Sequence, residues 1–125
     1  QVAVFNGKAL GAIELKPRRK FYDYKAKYSK SAHTEHIMPA DININNYNNV
    51  MKLAEKAHLV LNCKGITRSD FKLFNNKFYL LEINTQPGMT NLSLVPEIAK
   101  YAGINFKKLV KKIIDDASIN RWKVI

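Results

Sequence analysis

Apolar positions along the chain follow two rhythms. Val2 to Phe5 is a short apolar run, and Asn6-Gly7 is a hairpin turn signal. Ala9 to Leu15 then predicts a second strand. Further on the rhythm becomes helical. Tyr47, Val50, Met51, Ala54, Ala57, His58 and Leu61 recur at three- and four-residue spacing, behind capping residues in Asp41 to Asn46. That helix should end near Cys63, with Gly65 as its stop. Ile66 to Phe74 and Phe78 to Asn84 predict a second hairpin around Asn75-Asn76-Lys77. Thr85 to Thr90 reads as a loop and Ser93 to Tyr101 as a short helix. Asn105 should cap a last helix, with Phe106, Leu109, Val110, Ile113 and Ile114 as its buried stripe. The order predicts an α+β domain with an antiparallel sheet and packed helices.

Residues 16 to 34 fit neither rhythm. Lys16, Arg18, Arg19, Lys20, Lys25, Lys27 and Lys30 alternate there with Phe21, Tyr22, Tyr24 and Tyr28, and Pro17 breaks any helix. A long basic, aromatic loop is predicted. Composition extends the picture. The 125 residues are 46% hydrophobic and 25% charged, one globular domain's worth. Lys plus Arg is 21 against 10 Asp plus Glu, a net charge of +11. This excludes an acidic binding module and favours nucleotide phosphates, nucleic acid or an anionic membrane as partners. No apolar run reaches the roughly 18 residues of a membrane span, and no signal peptide is visible at Gln1 to Phe5. The start lacks Met, so the chain reads as a piece of something longer. One cysteine, Cys63, and no zinc-spaced cluster fit a reducing cytoplasm. His33, His36 and His58 show no ligand spacing.

The second hairpin carries candidate chemistry. Side chains two apart share a strand face. Phe71, Leu73, Tyr79, Leu81 and Ile83 can form one apolar face, leaving Arg68, Asp70, Glu82 and Asn84 on the other. A three-residue turn puts Asp70 across from Glu82 and Arg68 across from Asn84. Opposed carboxylates repel. Either a hard divalent cation sits between them, with Asn84 adding an oxygen, or this is a solvated face with Asp70 and Glu82 paired to Arg68 and Lys72. In the loop that follows, Gly88 lets backbone N–H groups approach a ligand. Ser93 opens a helix whose N-terminus favours an anion, although taken alone a plain turn and a plain cap are the commoner explanation of both.

Taken together, these runs have a known pattern. Arg68-Ser69-Asp70-Phe71, Leu80 through Thr90 (LLEINTQPGMT) and Ser93-Leu94-Val95-Pro96 resemble the C-terminal signature of the D-alanine–D-alanine ligases, in the ATP-grasp superfamily. Phe21 to Tyr28 (FYDYKAKY) is similar to that family's mobile active-site loop, and Cys63-Lys64-Gly65 also fits. The resemblance covers nearly the whole chain and implies the C-terminal lobe of an ATP-grasp fold. It implies that Asp70, Glu82 and Asn84 hold magnesium (or manganese) on ATP phosphates. Arg68 and the Gly88 backbone would stabilise the oxyanion and the transferring phosphoryl. Lys27 would contact phosphate, and Tyr28 would close over the substrate, as in dipeptide-forming members. Ser93 and Leu94 would bind the carboxylate of the second D-alanine. The implied reaction phosphorylates one D-alanine with ATP. A second D-alanine's amine then displaces phosphate, for peptidoglycan synthesis.

Ser69 and Lys72 depart from the family's apolar residues beside Asp70. The N-terminal substrate domain and the central nucleotide lobe have no counterpart here. The resemblance therefore implies a C-terminal ligase fragment that is inactive alone, with residues 16 to 34 mobile. Its expected partners are ATP, D-alanine and the rest of a cytoplasmic, homodimeric ligase, without membrane attachment and with nucleic acid disfavoured. Two alternatives are a fragment of another ATP-grasp carboxylate–amine ligase and a basic nucleic-acid-binding module.

Overall fold

A computed structural model describes residues 1–17 and 34–118. β1 (Val2–Phe5) and β2 (Lys8–Ala12) form the first hairpin around Asn6-Gly7. Both turn residues have positive φ, 47° and 79°, which matches the twist of the flanking strands. β5 (Ile66–Phe74) and β6 (Lys77–Asn84) form the second hairpin. The four strands make one antiparallel sheet in the order β2-β1-β5-β6.

β1 is apolar at every position because helices cover both faces of the sheet. Val2 and Val4 pack with Ala12, Val50 and Ala54 against α1 (Ile44–Val60). Ala3 points the other way, into Ile13, Ile66, Val95, Ile98, Ala99 and Leu109. That core belongs to α2 (Leu94–Tyr101) and α3 (Phe106–Asp116). The capping signals hold. Asn43 Oδ1 accepts from the Asn46 N–H at 2.9 Å, and Asn105 Oδ1 from the Lys108 N–H at 2.9 Å.

Four details differ from the sequence expectations. The second strand stops at Ala12 rather than Leu15. Ile13 is 1% exposed in the core, and the chain then starts a separate ribbon, β3 (Glu14–Pro17) paired with β4 (Thr34–Ile37). The polar sequence of β4 gives no strand signal by itself. The stretch expected as a loop from 16 to 34 thus begins and ends in strand, Lys16 opposite Glu35 and Pro17 opposite Thr34. Second, the stripe of α3 is mostly uncovered. Only Leu109 is buried, whereas Phe106 is 40% and Ile114 66% exposed. α3 packs mainly on α2, a contact narrower than its apolar face.

Third, the turn of the second hairpin has two residues, Asn75-Asn76, both with positive φ, and Phe74 faces Lys77. Fourth, a bulge follows between Asp70 and Phe71. Phe71 faces Leu80, Asp70 faces Glu82, and Leu81 is extra. The shorter turn and the bulge offset each other, so Asp70 does oppose Glu82 and Arg68 does oppose Asn84. They also exchange the faces of the hairpin tip. Paired residues share a face, so Phe71 and Leu73 lie with Leu80 and Phe78, not with Tyr79 and Leu81. The Phe71 and Phe78 rings meet edge to face at 6.1 Å.

Candidate functional site

β5 alternates between its two helical neighbours. Ile66 belongs to the α2–α3 core, so Arg68 and Asp70 share that side of the sheet, beyond the apolar cluster. Their partners Asn84 and Glu82 come from the edge strand β6. Arg68 grips Asp70 with two bonds, Nε to Oδ1 at 2.8 Å and Nη2 to Oδ2 at 3.1 Å. Nη2 also lies 3.6 Å from Glu82 Oε1. Gln1 Nε2 donates to Asp70 Oδ2 at 2.9 Å, a contact with no signal in the sequence.

The arrangement is graded from dry to wet. The Arg68 and Asp70 side chains are 13% and 12% exposed, and Glu82 is 57% exposed. Among the described residues, the cation that reaches both carboxylates is Arg68 and not Lys72. A cleft of about 590 Å³ opens beside Asp70, with a mostly apolar lining from the α1 side of the sheet that includes Val2, Val50, Phe71 and Phe78.

The loop after β6 is held by its own side chains. Asn84 Oδ1 accepts from the Gln86 N–H at 2.9 Å, folding the chain back at the strand end. Ser93 precedes α2 in the capping position, but its hydroxyl makes no cap bond. It accepts from the Thr90 N–H at 3.0 Å and lies 2.8 Å from Thr90 Oγ1. The first N–H groups of α2 therefore keep their capacity to donate. A Cβ on Gly88 would come within 2.9 Å of Ser93 Oγ, so this close approach suits a residue without a side chain.

Hard oxygen donors on one face suit magnesium, which takes one or two carboxylates and completes its shell with phosphate and water. Asp70 and Asn84 each accept hydrogen bonds already, yet their oxygens retain lone pairs, and Glu82 faces solvent. Among the described residues, no three His, Cys, Asp or Glu side chains form a cage by themselves. The donor set fits a cation shared with a phosphorylated ligand. The structure thus brings Arg68, Asp70, Glu82 and Asn84 together, and separately Gly88 with Ser93 at the start of α2, where Leu94 is the first helical residue. Lys27 and Tyr28 lie outside the described residues.

A family model described as the D-ala D-ala ligase C-terminus matches residues 1–115. The chain belongs to the D-alanine–D-alanine ligase family. It is 65% identical over 121 residues to the D-alanine–D-alanine ligase of Pelagibacter ubique, covering 97% of this chain and 40% of that protein. It is 53% identical over 121 residues to the ligase of Rickettsia felis, covering 94% of this chain and 37% of that one. The fold agrees. The crystal structure of the Bacillus anthracis D-alanine–D-alanine ligase complexed with ATP superposes with a TM-score of 0.76 at 32% identity. That match covers 92% of this chain and 37% of the other. The chain thus spans about two fifths of the length of the family members it matches.

Proposed function

We propose that this chain is the C-terminal part of an ATP-dependent D-alanine–D-alanine ligase, supplying the phosphate-side half of the active site and the seat of the second D-alanine. The observation that carries this reading is Arg68, Asp70, Glu82 and Asn84 on one sheet face, in a chain of this family. Bound magnesium would neutralise phosphate charge there, held by Asp70, Glu82 and Asn84. Arg68 would stabilise charge on a phosphoryl group in transfer, with its fork fixed by its bonds to Asp70. Phosphoryl transfer requires positioning and charge neutralisation more than covalent help from the protein. The γ-phosphoryl of ATP passes to a carboxylate oxygen of the first D-alanine, leaving ADP. The second D-alanine's amine attacks that carbonyl carbon, loses a proton and expels phosphate. The N–H groups at the start of α2, beside Ser93 and Leu94, would receive the second carboxylate. Lys27 and Tyr28 complete the proposal, as a phosphate contact and a cover over the substrate.

Phosphate release with ATP, magnesium and D-alanine tests this. A complete ligase chain carrying these residues should turn over, and the 125-residue chain alone should not. Turnover by the short chain would overturn the division of labour. A complete chain without D-alanine-dependent phosphate release would overturn the assignment.

A further inference from the structure

His36 on β4 reaches across to the first turn of α2. Its Nδ1 lies 2.8 Å from Glu97 Oε2, with the two side chains 34% and 38% exposed. Two neighbouring features hold the ribbon over α2 independently. Met38 packs into the α2–α3 core, and the Ala40 N–H donates to the Ala12 carbonyl at 2.9 Å. The His36–Glu97 contact is thus one of several ties on the ribbon.

Glu97 follows Ser93 by four residues, and side chains at that spacing share a helix face, about 5–6 Å apart at Cβ. Glu97 is the acidic residue of the first turn of α2, close to the N–H groups that open the helix. A negative charge there competes with any anion arriving at the helix start, because both draw on the same positive end of the helix. His36 is the group that hydrogen-bonds that carboxylate and draws it away from the helix start.

We propose that His36 is a positioning residue for the second amino-acid substrate: it masks the Glu97 carboxylate so that an amino-acid carboxylate can settle at Ser93 and Leu94. This rests on the ligase reading above and names a determinant of affinity for that substrate. The contact touches neither the phosphate-side cluster nor the reacting atoms. Its effect falls on binding of the second amino acid and not on phosphoryl transfer.

The test is steady-state kinetics of the complete ligase chain with four forms: unchanged, His36→Ala, Glu97→Gln and the double variant. His36→Ala should raise KM for the second D-alanine about two- to fivefold, the range expected when a half-exposed charge loses its partner. KM for ATP and kcat should stay put. Glu97→Gln should not raise KM, and adding it to His36→Ala should return KM to the unchanged value. Should His36→Ala fail to fold, His36→Phe fills the space without a donor for Glu97 and should show the same rise. A double variant as impaired as His36→Ala, or a Glu97→Gln chain impaired like it, would make the contact a mere structural tie and overturn the proposal. So would an active enzyme in which His36→Ala leaves KM unmoved. An unchanged chain without ligase activity would overturn the ligase reading itself, and this proposal with it.

Discussion

The two faces of β5 treat polar groups in opposite ways. Toward α1, Thr67 and Ser69 are fully buried, and His58 from the helix is 1% exposed. These groups are neutral and dry, joined by one bond, His58 Nδ1 to Thr67 Oγ1 at 2.8 Å. Among the described residues, His58 Nε2 and Ser69 Oγ have no hydrogen-bond partner. Toward the other side, Arg68 and Asp70 carry full charges and satisfy each other with two bonds, next to a solvent-facing Glu82. Neighbouring residues of one strand thus serve a closed interface and an open charged site. Polarity alone does not mark a functional group; the marks are charge, mutual satisfaction and a route to solvent.

The largest effect should come from breaking the charged face. Arg68→Ala leaves Asp70 without its principal partner at a nearly buried position. It should cost about 3 kcal/mol in urea unfolding, as buried pairs do when one member is removed. In a complete ligase chain it should also lower kcat by about 10²- to 10³-fold, the scale of a lost transition-state donor. A variant that unfolds like the parent and keeps its rate would erase the distinction between the faces. Next comes the closed face. Ser69→Ala removes a buried hydroxyl that has no hydrogen-bond partner among the described residues, so it should raise stability by about 1 kcal/mol. A lower urea midpoint would show that the hydroxyl is satisfied after all.

The smallest effect is a pH slope. Burial lowers the pKa of His58 below its ordinary 6.5, and the nearby Cys63 backbone opposes this in part. The unfolded chain then binds more protons below pH 6.5 than the folded one. The contribution of His58 is therefore flat above that pH and turns against folding as the pH falls below it. Urea midpoints from pH 7.5 to 5.5 should drop more steeply for the parent than for His58→Gln. Parallel slopes would disprove the assignment.

Much of this was legible in the residues because local chemistry and global fold agree. Asn6-Gly7, Asn43 and Asn105 act through their own backbone geometry, so turns and caps survive the move from sequence to structure. The alternation of Arg68, Asp70, Glu82 and Asn84 likewise depends only on strand pairing. What stayed hidden depends on distant partners. Thr34 to Ile37 becomes a strand because Glu14 to Pro17 needs a neighbour. Gln1 meets Asp70 across 69 positions of sequence. His36, without ligand spacing, gains its meaning from Glu97 on a helix 61 positions away. The apolar stripe of α3 overstated burial because periodicity reports a face and not what covers it.

The extra residue at Leu81 has a consequence for anyone altering the hairpin's length. The pairing of Asp70 with Glu82 is held from the base of the hairpin by Arg68 opposite Asn84, and the Asn75-Asn76 tip runs in a different frame. A residue added at the tip can be absorbed by smoothing out the bulge, with the carboxylates left facing each other. The tip is thus a natural graft point for a tag or reporter peptide, and its length can drift while the charged cluster keeps its geometry.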